Sequence, residues 1–162
     1  LHDSLPIYEP TTALDVTIQA QVLELMKRLK QQYDTSMILI THDLGIVAEV
    51  CDEVMVMYAG RIVEQGTLKE VFNHTKHPYT EGLFGSIPNI NDRKGELQPI
   101  PGLMPDPTEL PEGCTFASRC PYATEACEKK QPEYRYMGGS HYVACSAYDD
   151  PDFHIKRRVT NG

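Results

Sequence analysis

Prolines are crowded into one stretch of the 162-residue chain, and this crowding limits what the chain can fold into. Half of the twelve prolines fall there: Pro88, Pro99, Pro101, Pro105, Pro107 and Pro111. Because proline lacks the backbone N–H that helices and sheet ladders need, this stretch is predicted to be extended and irregular, lying over a surface. The start of this stretch divides the chain into a first part, residues 1–87, and a second part, residues 88–162.

Composition and charge limit the class of protein. Apolar residues make up 41% and charged residues 23% of the chain, as in ordinary soluble globular proteins. The formal net charge of -8 argues against a nucleic-acid binder, which needs a basic surface. No apolar run approaches the length of about 20 residues that a membrane helix needs, and no secretory signal pattern is present. These features favour a cytosolic protein.

The first part alternates between helix and strand patterns. Apolar residues at helical spacing predict an amphipathic helix over about 16–33. Two short runs rich in Ile, Val and Met, 37–41 and 53–58, predict buried strands. Ala59-Gly60 predicts a turn into a further strand over 61–65, which completes a hairpin. This order predicts an α/β domain with a parallel sheet and a meander at its end.

Two local signals mark the starts of further helices. Thr67 and Glu70 have the spacing of a capping box, in which each side chain bonds the backbone N–H of the other residue. Pro78 suits the first turn of a helix, where a backbone N–H has no partner in any case. Both signals predict short helices after the hairpin.

Acidic and histidine residues follow two of the predicted strands. A strand-like lead-in ends at Glu9-Pro10-Thr11-Thr12-Ala13-Leu14-Asp15, and Thr41-His42-Asp43 begins 26 residues after Asp15. Each motif alone is weak, whereas the two at this distance are specific. Together they resemble the second half of an ABC-transporter ATPase domain, where a glutamate follows the Walker B strand, a D-loop comes next and a switch histidine follows a later strand.

The resemblance implies a role for each of these residues. Glu9 is the expected base that polarises or deprotonates the water attacking the γ-phosphate of ATP, and Pro10 would end the strand beside it. His42 is expected to donate a hydrogen bond to the γ-phosphate or to that water. Asp15 belongs to the D-loop, which reaches a second ATPase subunit. A local role for Asp15 as the cap of the 16–33 helix is compatible with this.

Other parts of the family pattern do not occur in these 162 residues. There is no G-x-x-x-x-G-K-[ST] loop for the phosphates and no serine-glycine-glycine signature, so the chain as written is expected neither to bind ATP tightly nor to hydrolyse it. Tyr8 stands where the family has the aspartate that helps to hold Mg²⁺, and Pro6 sits where a central strand must donate a hydrogen bond. Residues 1–8 are therefore predicted to be non-native, the first seven resembling translated sequencing-adapter DNA. A genuine Tyr8 variant with a degenerate magnesium site is the alternative.

The second part carries a pattern that separates ABC subfamilies. His77-Pro78-Tyr79-Thr80, Ile100-Pro101-Gly102 and Arg119-Cys120-Pro121 resemble the extension after the ATPase core of oligopeptide and dipeptide importers. The resemblance covers about 9–150 and implies an ATPase at the cytoplasmic face of the membrane. It implies as partners a second related ATPase subunit in a heterodimer, two membrane permeases and an extracytoplasmic peptide-binding protein. Nickel or another small solute is the alternative substrate.

Four of the five cysteines lie in this second part. Cys114, Cys120, Cys127 and Cys145 are separated by five, six and seventeen residues, in a Pro- and Gly-rich region whose irregular backbone would let their thiolates surround one ion or cluster. The spacing lacks the C-x₂-C pairs of most structural zinc sites. Resemblance to peptide-importer ATPases that carry a [4Fe–4S] cluster here implies that these cysteines are its ligands. Zinc, and free or disulfide-paired thiols, remain alternatives.

Three histidines lie outside these motifs. His74, His77 and His141 are scattered among polar segments and are predicted to be solvated or helix-capping residues rather than metal ligands.

The predicted fold is thus α/β, with the C-terminal part of a P-loop NTPase domain of the ABC type over 1–87 and an irregular Cys-rich extension over 88–162. The predicted function is energy coupling, in which ATP and Mg²⁺ bind and hydrolysis drives peptide import. A non-catalytic module, made for cluster binding or for protein interaction, is the alternative function.

Overall fold

The structure is a computed structural model that describes residues 4–10, 15–87 and 99–156. The first part of the proline-rich stretch, 88–98, and residues 11–14, which include part of the predicted D-loop, lie outside the described residues. The helices and strands are β1 (Ser4–Tyr8), α1 (Val16–Tyr33), β2 (Ser36–Ile40), α2 (Leu44–Val50), β3 (Glu53–Tyr58), β4 (Arg61–Thr67), α3 (Leu68–Asn73), α4 (Pro78–Gly85), α5 (Glu125–Lys129), β5 (Tyr134–Gly138) and β6 (His141–Ala144). They form two compact units, Leu1–Asp52 and Glu53–Gly162.

The first unit is a β–α–β arrangement. β1 and β2 pair in parallel, with Tyr8 opposite Ile40 at the end of the ladder, and α1 connects them. The predicted helix over 16–33 is confirmed; it ends at Asp34, whose φ of 47° is left-handed. Lys27 Nζ lies 2.8 Å from Glu49 Oε1, and this ion pair joins α1 to α2.

The prediction that the two Ile-, Val- and Met-rich strands are buried is wrong. β2 and β3 alternate between exposed and partly covered residues, and Ile38, Ile40, Met55 and Met57 are exposed. Successive side chains of a strand point to opposite faces of the sheet. The described residues cover one face of each strand and leave the other open.

The second unit is built on a four-stranded antiparallel sheet with strand order β3-β4-β6-β5. The predicted hairpin is confirmed as β3 and β4, and the predicted capping box opens α3: Thr67 Oγ1 accepts from the Glu70 N–H at 3.3 Å, and Glu70 Oε2 accepts from the Thr67 N–H at 2.8 Å. Pro78 occupies the first turn of α4, as predicted.

The second part of the chain is not irregular throughout. Residues 99–116 contain neither helix nor strand, in agreement with the prediction from the prolines. Beyond them, β5 and β6 form a hairpin, and β6 pairs with β4 through Glu64 opposite Val143. This pairing places the β3–β4 hairpin in one compact unit with the extension, although the composition changes near residue 88. The assignment of 1–87 and 88–162 as separate domains stays a prediction.

The core of the second unit combines residues from both sides of the proline-rich stretch. Tyr58, Val63 and Phe116 are buried together. The rings of Tyr58 and Phe116 meet edge to face with centroids 5.2 Å apart, and Tyr79 packs against Phe116 at 5.5 Å. Phe116 thereby fixes the start of the Cys-rich segment against the hairpin. Among the described residues, no helix is long and apolar enough to cross a membrane.

Candidate functional site

Glu9 and His42 lie together at the carboxyl edge of the first unit's sheet. Glu9 directly follows β1, and His42 lies two residues after the end of the parallel strand β2. The Glu9 backbone N–H donates to the carbonyl of Ile40 at 2.8 Å. His42 Nδ1 lies 3.1 Å from Glu9 Oε1. The His42 side chain is 82% exposed, whereas that of Glu9 is 30% exposed. A carboxylate and an imidazole at this edge can orient and deprotonate a water molecule.

The backbone around His42 is fixed by hydrogen bonds from its neighbours. Asp43 caps α2, and its Oδ1 accepts from the N–H groups of Gly45 at 2.8 Å and Ile46 at 3.1 Å. Thr41 Oγ1 accepts from the Asp43 N–H at 3.1 Å. His42 thus projects from a short, well-defined connection between β2 and α2.

Glu9 has an unusual backbone conformation. Its φ is 41°, in the left-handed region, and the residue after it is Pro10. A residue before proline normally adopts extended conformations, so this geometry carries strain. Strained backbone that persists in a fold is concentrated at functional sites, where it aims a side chain.

The structure places Asp15 in its local role. Its carboxylate accepts from the Thr17 N–H at 2.8 Å and caps α1, as one of the two predictions for it required. Its D-loop role across a subunit interface stays a prediction. Tyr8, the last residue of β1, has an exposed side chain. From the sequence, it is predicted to stand where the family has a magnesium-binding aspartate. A neutral phenol is a poor ligand for Mg²⁺, which prefers carboxylate and water oxygens.

The four cysteines of the second unit are near one another. Burial raises the pKa of the Cys114 thiol, raises that of Cys120 to about 11 and raises that of Cys145 to about 12. Charge on the other three thiols raises the pKa of Cys145 further, so all four sulfurs lie within electrostatic range. The Cys114 N–H also donates to the carbonyl of Cys127 at 2.7 Å.

Three of these sulfurs share one local feature. At each, a backbone N–H two residues further on lowers the thiol pKa against the effect of burial. The donors are Phe116 for Cys114, Tyr122 for Cys120 and Ala147 for Cys145. Backbone N–H groups that bond sulfur stabilise a thiolate, which is the form that binds a metal or cluster.

Over residues 4–10, 15–87 and 99–156, no three His, Cys, Asp or Glu side chains form a group that could hold a metal ion. The sulfurs as placed therefore give the predicted [4Fe–4S] cluster no direct support, although their type and backbone donors suit one. The residues around Glu9 likewise do not form a magnesium site.

Comparison with known proteins points to one family. Residues 63–127 match the family model described as the oligopeptide/dipeptide transporter C-terminal region. The chain is 51% identical over 147 residues to the dipeptide transport ATP-binding protein DppD of Bacillus subtilis, covering 91% of this chain and 44% of DppD. It is 52% identical over 142 residues to the oligopeptide transport ATP-binding protein AppD of the same organism, covering 88% of this chain and 43% of AppD. These matches relate the chain to the ATP-binding proteins of peptide ABC transporters.

A third member of this peptide-transporter family is a putative peptide import ATP-binding protein of Brucella ovis. It is 49% identical over 148 residues, covering 88% of this chain and 44% of the relative. The chain thus spans less than half the length of the curated relatives it matches. The family-model match includes Cys114, Cys120 and Cys127 but ends before Cys145.

Sequence reasoning missed a buried polar centre in the second unit. Glu64 on β4 is fully buried and accepts three hydrogen bonds: from the N–H of Lys76 at 2.6 Å, from the N–H of His77 at 3.0 Å and from His141 Nε2 at 2.7 Å. The prediction that these histidines are solvated or helix-capping residues is wrong for His141, which lies buried on β6. His77 does cap α4, because its Nδ1 accepts from the Tyr79 N–H at 3.0 Å. The one sequence signal was a glutamate directly after the apolar pair Ile62-Val63 in β4.

Proposed function

We propose that the full-length protein is the ATP-hydrolysing, energy-coupling subunit of an importer for oligopeptides or dipeptides, bound at the cytoplasmic face of the membrane. The observation that supports this best is the contact between Glu9 and His42 at the ends of two adjacent parallel strands. In the carboxyl-edge position, side chains from neighbouring strands converge on one ligand. The relatives named above transport peptides, which supports peptides as the cargo rather than nickel.

The proposed roles follow from the geometry of the pair. Glu9 accepts a proton from the attacking water, and its carboxylate is the only acidic group of the pair. His42 donates a hydrogen bond to the γ-phosphate or to the water, because its exposed ring is accessible to a bound nucleotide. Asp15 begins the helix beyond the D-loop and would carry the signal to a second ATPase subunit. ATP and Mg²⁺ would need further residues, since Tyr8 supplies no carboxylate.

The proposed assembly contains this subunit, a related second ATPase subunit in a heterodimer, two membrane permeases and an extracytoplasmic peptide-binding protein. Face-to-face closure of the two ATPase subunits on ATP would drive the permeases, and hydrolysis would reopen them. In this arrangement the C-terminal extension is a family-specific addition to the ATPase core.

The assembled transporter provides the test. The full-length subunit, with aspartate restored at position 8 by Tyr8→Asp, is purified with its partners and reconstituted into vesicles with the peptide-binding protein. We expect ATP hydrolysis that a mixture of di- and oligopeptides stimulates, and uptake of labelled peptide. Stimulation by nickel but not by peptides would show that nickel is the cargo. An assembly that binds no ATP would overturn the proposal.

We further propose that Cys114, Cys120, Cys127 and Cys145 are the ligands of a [4Fe–4S] cluster in the extension. The presence of four thiols in the second unit, and the backbone N–H groups that lower the pKa of three of them, support this. A cluster there would crosslink and stabilise a segment that has little hydrophobic core of its own. Anaerobic purification should give brown protein with about four irons per chain, and a Cys120→Ser variant should lose iron. Colourless protein containing stoichiometric zinc, or no metal at all, would refute the cluster.

A further inference from the structure

Residues 99–113, here called the proline strap, are held in place at both ends. At the first end, Arg119 Nε donates to the Pro101 carbonyl at 2.9 Å and its Nη2 donates to the Ile100 carbonyl at 3.1 Å. At the second end, Gln131 Nε2 donates to the carbonyls of Pro111 and Gly113. The strap is thus anchored to the second unit by side chains that lie outside it.

The middle of the strap is also fixed. Asp106 Oδ1 accepts from the Thr108 N–H at 2.8 Å and from its hydroxyl at 2.6 Å, and the Glu109 N–H donates to the Asp106 carbonyl at 3.1 Å. Gly102 bends the chain with a φ of 78°. Prolines in the strap further reduce the conformations open to it. A segment ordered in this way loses little entropy when it binds a partner.

The strap presents large apolar side chains to solvent. Leu103 is 91% exposed, the highest value among the exposed large hydrophobic residues, and Met104 is 59% and Leu110 41% exposed. An ordered segment that holds three such side chains outward has the features of a binding epitope.

The charge on the strap has one sign. Asp106, Glu109 and Glu112 lie in it, and no Lys, Arg or His occurs from residue 99 to residue 118. The hydrogen bonds from Thr108 lower the pKa of Asp106, which keeps it ionised. A complementary partner surface therefore combines apolar pockets with Lys and Arg residues around them.

Two kinds of partner are disfavoured by charge. A second copy of this chain carries a net charge of -8, and an anionic lipid surface repels an acidic segment. By contrast, the cytoplasmic loops of membrane proteins are rich in Lys and Arg. Since the proposed function puts this protein beside membrane permeases, such loops would be within its reach.

We propose that the proline strap is a docking epitope for a Lys- and Arg-rich cytoplasmic loop of a permease subunit, with Leu103, Met104 and Leu110 entering apolar pockets of that loop. This inference rests on the proposed function, and it assigns to the extension a contact with the membrane part of the transporter.

Site-specific photo-crosslinking tests the inference. The full-length subunit with p-benzoylphenylalanine in place of Leu103 is produced together with its permeases and its second ATPase subunit, and the complex is purified and irradiated. Mass spectrometry should identify a cytoplasmic permease loop as the main crosslinked partner. The same probe in place of the exposed Tyr136, outside the strap, gives the background level.

Charge reversal supplies a second readout. Glu109→Lys with Glu112→Lys should lower the Leu103 crosslink to the permease by about threefold or more, and raised salt should lower it likewise. Glu53→Lys, an exposed change on β3, should leave the crosslink unchanged. A permease crosslink that is insensitive to both charge reversal and salt would contradict the docking chemistry.

The remaining outcomes show whether the docking inference fails alone or together with the proposed function. If the complex contains permeases and hydrolyses ATP, but Leu103 crosslinks only to the second ATPase subunit, to lipid, to its own subunit or to nothing, the docking inference is wrong and the function stands. If no permease accompanies the purified subunit, the proposed function fails, and the inference fails with it.

Discussion

The buried carboxylate of Glu64 shows how single residues join the parts of the second unit. Its oxygens accept hydrogen bonds from the loop before α4 and from His141 on β6. A buried polar group of this kind is tolerated because its partners satisfy it, and removal of one partner leaves the others unsatisfied. The proposed catalytic pair of the first unit is organised differently, since the His42 side chain is exposed and the Glu9 backbone is in the left-handed region.

Replacing Glu64 should therefore be costly. Glu64→Ala is expected to lower the free energy of unfolding by about 3 kcal/mol or more, because His141 and two backbone N–H groups lose their acceptor. Urea titration followed by circular dichroism measures this. The matched change Glu53→Ala, on an exposed position, should stay within about 0.5 kcal/mol of the parent protein. Equal effects of the two changes would contradict the importance of Glu64.

Two buried threonines provide a matched pair. Thr80 Oγ1 has no hydrogen-bond partner among the described residues, whereas the Thr75 hydroxyl donates to the Val71 carbonyl at 2.7 Å. Thr80→Val should leave the protein as stable or stabilise it by about 1 kcal/mol, and Thr75→Val should destabilise it by about 1 kcal/mol. Thermal denaturation of both variants is the measurement. A destabilising Thr80→Val would mean that this hydroxyl has a partner.

His77 makes stability depend on pH. Burial lowers its pKa from 6.5 to about 3 in the folded protein. Between pH 6.5 and pH 3, His77 is protonated in the unfolded chain but not in the folded protein. The stability that the neutral, buried His77 contributes is therefore complete above pH 6.5 and is lost as the pH falls toward 3. The slope is at most about 1.4 kcal/mol per pH unit.

Unfolding measured from pH 7 to pH 4 tests this. His77→Asn, which retains a capping side chain, should show a shallower loss of stability with falling pH than the parent protein. His74→Asn, at an exposed position, should keep the parent slope. Identical slopes for His77→Asn and the parent would contradict the burial of a neutral imidazole.

At the level of elements, the sequence allowed prediction of features whose signals are local. Helix α1, the capping box of α3 and the β3–β4 hairpin follow from periodicity and turn residues within a few positions. The pairing of β6 with β4 could not be predicted, because it joins residues about 80 positions apart and leaves no periodic pattern. The exposure of β2 and β3 was missed because an apolar run does not reveal how many of its faces are covered.

The contact between the Cys114 segment and α5 depends on a glycine. A Cβ added at Gly113 would overlap with the backbone carbonyl oxygens of Cys127 and Glu128. Gly113→Ala should therefore separate the two segments and lower the free energy of unfolding by more than about 2 kcal/mol. Ser118→Ala, at a nearby exposed position, is the control. Hydrogen exchange that shows α5 equally protected in both variants would contradict this close approach.

For the whole molecule, the boundary that the structure draws differs from the boundary in composition. Along the chain, the first unit ends at Asp52 and the second begins at Glu53, so the second unit includes the β3–β4 hairpin. The candidate catalytic pair was predictable, since Glu9 and His42 follow strands whose carboxyl ends meet at one edge.

The central claim is that Glu9 is the catalytic base of a peptide-transporting ATPase. The most direct test compares ATP affinity and ATP turnover for Glu9→Gln in the full-length transporter, with Glu24→Gln on the exposed face of α1 as the control. Glu9→Gln should retain ATP binding within about threefold while turnover falls by about 10²-fold or more, because the amide accepts no proton. Glu24→Gln should match the parent. A Glu9→Gln transporter that hydrolyses ATP at the parental rate would contradict the account.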